Sequence, residues 1–120
     1  MGKMKNLLMQ DLEGNEELMN GFADFQFEQA LEHIFLNGLD LLVQKHMDYG
    51  PKNIAAAPGG PINGLLVRMN DKLQRLINLT YDNPNDPAYE SIKDSYADLA
   101  NYCVIAMMVL DNKWSGAENV

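Results

Sequence analysis

The chain has one cysteine, Cys103, and two histidines, His33 and His46, among its 120 residues. A single thiol excludes an intrachain disulfide and every multi-cysteine zinc spacing. Two imidazoles exclude a multi-histidine metal site within one chain. Basic residues are scarce as well: 9 Lys and Arg stand against 17 Asp and Glu, for a formal charge of -8 and a pI near 4.5. Nucleic-acid backbones and anionic membranes are repelled by most of such a surface, so direct nucleic-acid binding is not expected. The longest apolar run, residues 104–110, falls well short of the ~18 to 20 residues that cross a bilayer, so no membrane role is expected either. The opening MGKMKNLLMQ is too briefly apolar for a signal peptide, and with the lone thiol this points to a reducing, cytoplasmic compartment. Strand-like alternation, internal repeats and low-complexity tracts are missing. GGPING lacks the Gly-Lys-Ser/Thr ending of a phosphate-binding loop.

What is present suits one folded helical domain over 1–120: 47% hydrophobic and 22% charged residues are ordinary for a globular chain. An N-terminal lead-in (1–21), acidic from Asp11 to Glu17, precedes a segment from about Phe22 to His46. There Phe27, Ala30, Leu31, Ile34, Phe35, Leu41 and Leu42 recur at three- and four-residue spacing, which predicts a long helix with a break near Asn37 and Gly38. The stretch DYGPKNIAAAPGGPIN reads as a sizeable loop, a length more often functional than connective. A second helix is predicted from about Gly64 to Leu79, with Leu65, Leu66, Met69, Leu73, Leu76 and Ile77 as its apolar stripe. After the turn TYDNPNDP, Asp86 as N-cap and Pro87 at the first helical position open a third helix, reaching about Asn112. Residues 113–120 read as a polar tail. Between Leu99 and Leu110 the last helix is apolar almost all round, which predicts burial by further copies and thus a homo-oligomer, dimer or tetramer.

Glu90, Asp94 and Asp98 lie at four-residue steps on that helix, where like charges repel by roughly 0.2 to 0.5 kcal/mol per pair. The helix dipole accounts for Glu90 in the first turn. It gives little help to Asp94 and Asp98, whose spacing points to a divalent metal. Magnesium takes oxygen ligands and keeps several waters, so two or three carboxylates plus substrate phosphates suffice. Manganese is a possible substitute. Asp71 on the preceding helix is either a further ligand or the partner of Arg68 and Arg75 on a solvated face. Arg68, Lys72 and Arg75 form a cationic stripe suited to phosphate oxygens. The loop start KHMDYG offers Lys45, Asp48 and Tyr49, the last able to stack on a base.

KHMDYG, GLLVRMNDKLQRL and ESIKDSYADLANYCVIAMM, in that order, resemble the nucleotide modification associated domain of bacteriophages, a branch of the MazG-like all-α nucleoside triphosphate pyrophosphohydrolases. The resemblance covers roughly residues 40 to 110. It implies a MazG-like helical bundle completed by oligomerisation, and magnesium-dependent conversion of a deoxynucleoside triphosphate to monophosphate and pyrophosphate in phage nucleotide metabolism. It places Asp71 in the region of the family's first acidic motif and Asp94 and Asp98 in that of the second, with Glu90 as an outer ligand. Arg68 stands where the first motif carries an acid. Catalysis is then expected from Asp71, Asp94 and Asp98, metal binding from these and Glu90, and substrate binding from Lys45, Asp48, Tyr49, Arg68, Lys72, Arg75 and Asn101. The alternative from the same residues is a non-catalytic helical module that binds a nucleotide or a protein.

Overall fold

The computed structural model describes residues 16–82 and 88–118. Every regular element among them is helical: α1 (Glu16–Tyr49), α2 (Lys52–Ala55), α3 (Pro61–Ile77), a wider π-type turn (Asn78–Asp82) and α4 (Ala88–Leu110). The all-α expectation is met. The chain forms two compact units, Met1–Asp40 and Leu41–Val120.

Helix α1 begins six residues ahead of the expected start, with Glu16 and Glu17 in its first turn, where the helix dipole favours negative charge. It also runs through Asn37 and Gly38 without the expected break. A glycine inside a helix costs about 1 kcal/mol but removes no hydrogen bond, and good helix formers on both sides carry the chain past it. The helix ends where Gly50 adopts φ 71° and its N–H donates to the His46 carbonyl at 2.8 Å. That left-handed step suits glycine, and Pro51 then blocks continuation.

The expected loop is broken by the single turn of α2, and α3 starts three residues early. Gly60 at φ 96° precedes Pro61 at the first helical position, where a missing N–H has no cost. The stripe of α3 is only partly used: Leu65 and Leu76 are buried, whereas Leu66, Leu73 and Ile77 are exposed. The predicted cap at Asp86 and Pro87 lies outside the described residues. At the other end of α4, Asn112 takes φ 59°, its N–H donates to Val109, and the Lys113 N–H donates to Met108. These two bonds make a Schellman cap.

In the second unit α3 pairs with α4 around a core of Ile54, Leu65, Ile105, Val109, Trp114 and Ala117. Burying a side chain such as Leu65 or Val109 contributes about 1.5–3 kcal/mol. Ser95, also buried, gives its hydroxyl to the Ser91 carbonyl at 2.8 Å. Trp114 and Ala117 correct the reading of 113–120 as a polar tail, because the chain turns back after α4 and seats both in the core. The Trp114 Nε1–H donates to the Pro51 carbonyl at 3.0 Å, and its ring meets His46 edge-on at 4.9 Å.

Helix α4 is buried on one side only: Tyr96, Cys103, Met107 and Leu110 are exposed. In the first unit Phe27, Leu31, Ile34 and Phe35 are exposed along α1. No described helix is long and apolar enough to cross a membrane.

Candidate nucleotide-binding cleft

In the second unit the end of α1 meets α3 and α4 at one carboxylate. Lys45, in the last turns of α1, donates to Asp98 Oδ1 at 2.8 Å, and Lys72, midway along α3, pairs with Asp98 Oδ2 at 3.0 Å. Asp98 sits on α4 with its side chain 16% exposed, so its charge is held by ammonium groups more than by water. Burial alone pushes the Asp98 carboxyl up, but the hydrogen bonds from Lys45 and Lys72 outweigh it and leave the group below the ordinary aspartate value. The hydrogen bond to Asp98 likewise raises Lys45 above the ordinary lysine value.

Beside this junction lies a cleft of about 260 Å³, lined among others by Lys45, Tyr49, Asn53, Arg68, Asp98 and Asn101, with Trp114 and Ile105 in its apolar wall. A shallower groove adjoins it, formed by Arg68, Asp71, Lys72, Arg75 and Tyr102. Arg68 and Tyr102 belong to both. Arg68 is fixed at the join, since its Nη2 donates to the Asn53 backbone carbonyl at 3.0 Å. Four cations, Lys45, Arg68, Lys72 and Arg75, thus face two carboxylates, Asp71 and Asp98. In a chain of charge -8 this is a local reversal of sign, the arrangement that draws an anionic ligand to one place.

The helices bring together Lys45, Tyr49, Arg68, Asp98 and Asn101 on the cleft, with Asp71, Lys72 and Arg75 on the groove. Asp48, Glu90 and Asp94 are exposed and line neither hollow. The four expected metal ligands are therefore not gathered. Among the described residues no three His, Cys, Asp or Glu side chains group closely enough to hold a metal ion, and both oxygens of Asp98 are taken by lysines. As arranged, these residues do not fit a three-carboxylate magnesium centre within one copy of the chain.

Asn53, Tyr102, Ile105 and Trp114 line the cleft without having been expected there. For Trp114 a signal existed: one large aromatic in a short polar segment seldom stays in water when a core is within reach.

No curated protein and no solved structure matches the chain significantly. A family does: the profile of nucleotide modification associated domain 1 covers residues 45–110, from the lysine of the Asp98 junction to the end of α4. The matched span carries every lining residue of the groove, and of the cleft all but Leu42 and Trp114. Since it spans more than half of the sequence, the chain belongs to the nucleotide modification associated domain 1 family.

Proposed function

We propose that the cleft and its groove bind a nucleotide, with the phosphates on the cations and the nucleoside against the aromatic wall. The observation that supports this most is the continuity of the two hollows through Arg68. The cleft is a little below the ~300–1,000 Å³ of small-molecule sites, a size suited to a nucleoside rather than to a whole triphosphate. The groove supplies Arg68 and Arg75, whose guanidinium groups can clasp phosphate oxygens in pairs, with Lys72 as a point charge. Tyr49, exposed at the cleft, covers the base. Lys45 and Lys72 then have two anions to choose between, Asp98 and the incoming phosphate.

The pyrophosphohydrolase of the MazG-like enzymes is a second reading, supported by the sequence resemblance and by the lowered Asp98 carboxyl beside the cations. In it water attacks the α-phosphorus of a deoxynucleoside triphosphate, the bond to the bridging oxygen breaks, and monophosphate and pyrophosphate leave. Magnesium belongs to this reading and requires more carboxylates than one copy gathers. Self-association belongs to it too, and the exposed apolar residues of α1, α3 and α4 support a dimer or tetramer. A phage setting is part of the same reading.

The test is a thermal-shift panel of ribo- and deoxynucleoside triphosphates run beside a pyrophosphate-release assay with magnesium. Stabilisation without release supports the binding module. Release that is lost in Asp98→Asn supports the hydrolase. Neither effect in folded protein removes both readings.

A further inference from the structure

Asn53 on α2 is the one cleft residue whose side chain combines burial with an unmet hydrogen-bonding need among the described residues. Its Oδ1 is buried and has no hydrogen-bond partner, while its backbone carbonyl accepts from Arg68. Buried polar atoms in folded proteins nearly always have a partner, and an orphan carbonyl oxygen on a residue that lines a ligand-sized hollow calls for a donor. The neighbouring groups do not supply one. Lys45 and Lys72 are turned to Asp98, the Trp114 Nε1–H is given to Pro51, and Arg68 is bound to the main chain of Asn53 itself.

We infer that Asn53 is the base-reading residue of the cleft, its side-chain amide accepting a hydrogen bond from an N–H of the nucleobase. The inference rests on the nucleotide-binding reading and adds an orientation to it. Arg68 marks the boundary between the two hollows, so phosphates in the groove leave the nucleoside end to the cleft, on the Asn53 side. Reaching a base requires the Asn53 amide to turn about χ2, a side-chain motion that leaves in place the backbone carbonyl that holds Arg68. A base whose donor edge is blocked leaves the oxygen unpaired and is rejected, which is how a polar site discriminates more strongly than an apolar one. A sugar hydroxyl can offer the same kind of donor, and the test separates the two.

The experiment is calorimetric titration of wild-type protein and Asn53→Ala with the four deoxynucleoside triphosphates and with inorganic pyrophosphate as a probe of the phosphate groove alone. Asn53→Ala is expected to weaken the tightest-binding nucleotide about tenfold and to leave pyrophosphate affinity unchanged. In wild-type protein, methylating the donor of that base (N3-methyl for thymine, N6,N6-dimethyl for adenine) is expected to match that loss, whereas the 2′,3′-dideoxy analogue binds as the parent does. Equal nucleotide affinity in wild type and Asn53→Ala overturns the assignment and leaves the nucleotide reading intact. Loss with the dideoxy analogue instead of the methylated base also overturns it, and moves the contact to the sugar. Wild-type protein that binds neither nucleotide nor pyrophosphate overturns both. The methylated analogues use unmodified protein, so the result stands even if Asn53→Ala folds poorly.

Discussion

Lys45 and Asp98, 53 positions apart in the sequence, meet at 2.8 Å and tie the end of α1 to the middle of α4. With Lys72 on the second oxygen of the same carboxylate, the pair is both a structural joint and the electrostatic centre of the site. Asp98→Asn separates these roles. It leaves two ammonium groups facing a neutral amide, so unfolding free energy is expected to fall by about 1–3 kcal/mol, between the values for exposed and buried pairs. Pyrophosphate affinity is expected to rise several-fold, because Asp98 no longer competes for Lys45 and Lys72. Weaker pyrophosphate binding in folded Asp98→Asn would show that the carboxylate attracts the ligand, as a metal-holding group does.

The joint also fixes a pH dependence. The Asp98 carboxyl is lowered in the folded protein, so its contribution is present above the ordinary aspartate value near ~4 and is lost as pH falls through the lower folded value. Lys45 is raised, so its contribution is present below the ordinary lysine value near ~10.4 and is lost as pH rises through the higher folded one. The melting-temperature difference between wild type and Asp98→Asn should be flat between these limits and shrink beyond each. A difference that changes across neutral pH would point to another titrating group.

Trp114 gives a prediction outside the family-matched span. The residue is 5% exposed and its indole is hydrogen-bonded to Pro51, so Trp114→Ala should cost about 3–5 kcal/mol and remove part of the cleft wall. Trp114→Phe keeps most of the packing but removes the indole hydrogen bond to the Pro51 carbonyl, which still accepts from the Ile54 and Ala55 N–H groups, for about 1 kcal/mol. Urea denaturation of the two variants measures both. Equal losses would mean that the indole contributes through its hydrogen bond rather than its bulk.

Leu65 on α3 tests the core in the same way. At 1% exposure it is expected to cost about 2–5 kcal/mol when replaced by Ala, against under ~0.5 kcal/mol for replacing exposed Lys113 by Gln. Similar losses at both positions would mean that α3 and α4 do not pack as described.

Much of this was legible in the sequence. Apolar spacing and turn residues predict three long helices and set the end of α4 to within two residues, since Asn112 and the polar residues around it stop a helix through local chemistry. Gly38 suggests a break that α1 does not have, because a lone glycine weakens a helix without ending it. The cationic stripe is also legible, because Arg68, Lys72 and Arg75 share one element. What local pattern cannot give is the pairing between elements. Spacing along α4 groups Asp98 with Asp94 and Glu90 as metal ligands, whereas the fold turns it toward Lys45 and Lys72. Asn53 and Trp114 reach the cleft through tertiary contacts that no spacing encodes.

On the proposed reading, the sign-reversed surface from Lys45 to Arg75 holds a nucleotide by its phosphates. The most direct measurement is calorimetric titration of wild type and of the Lys72→Gln/Arg75→Gln double variant with deoxynucleoside triphosphates at low and moderate salt. Saturable binding that weakens with salt, and that falls at least about tenfold in the double variant, is the predicted result. Absence of binding in folded wild-type protein, or equal binding by the double variant, would contradict it.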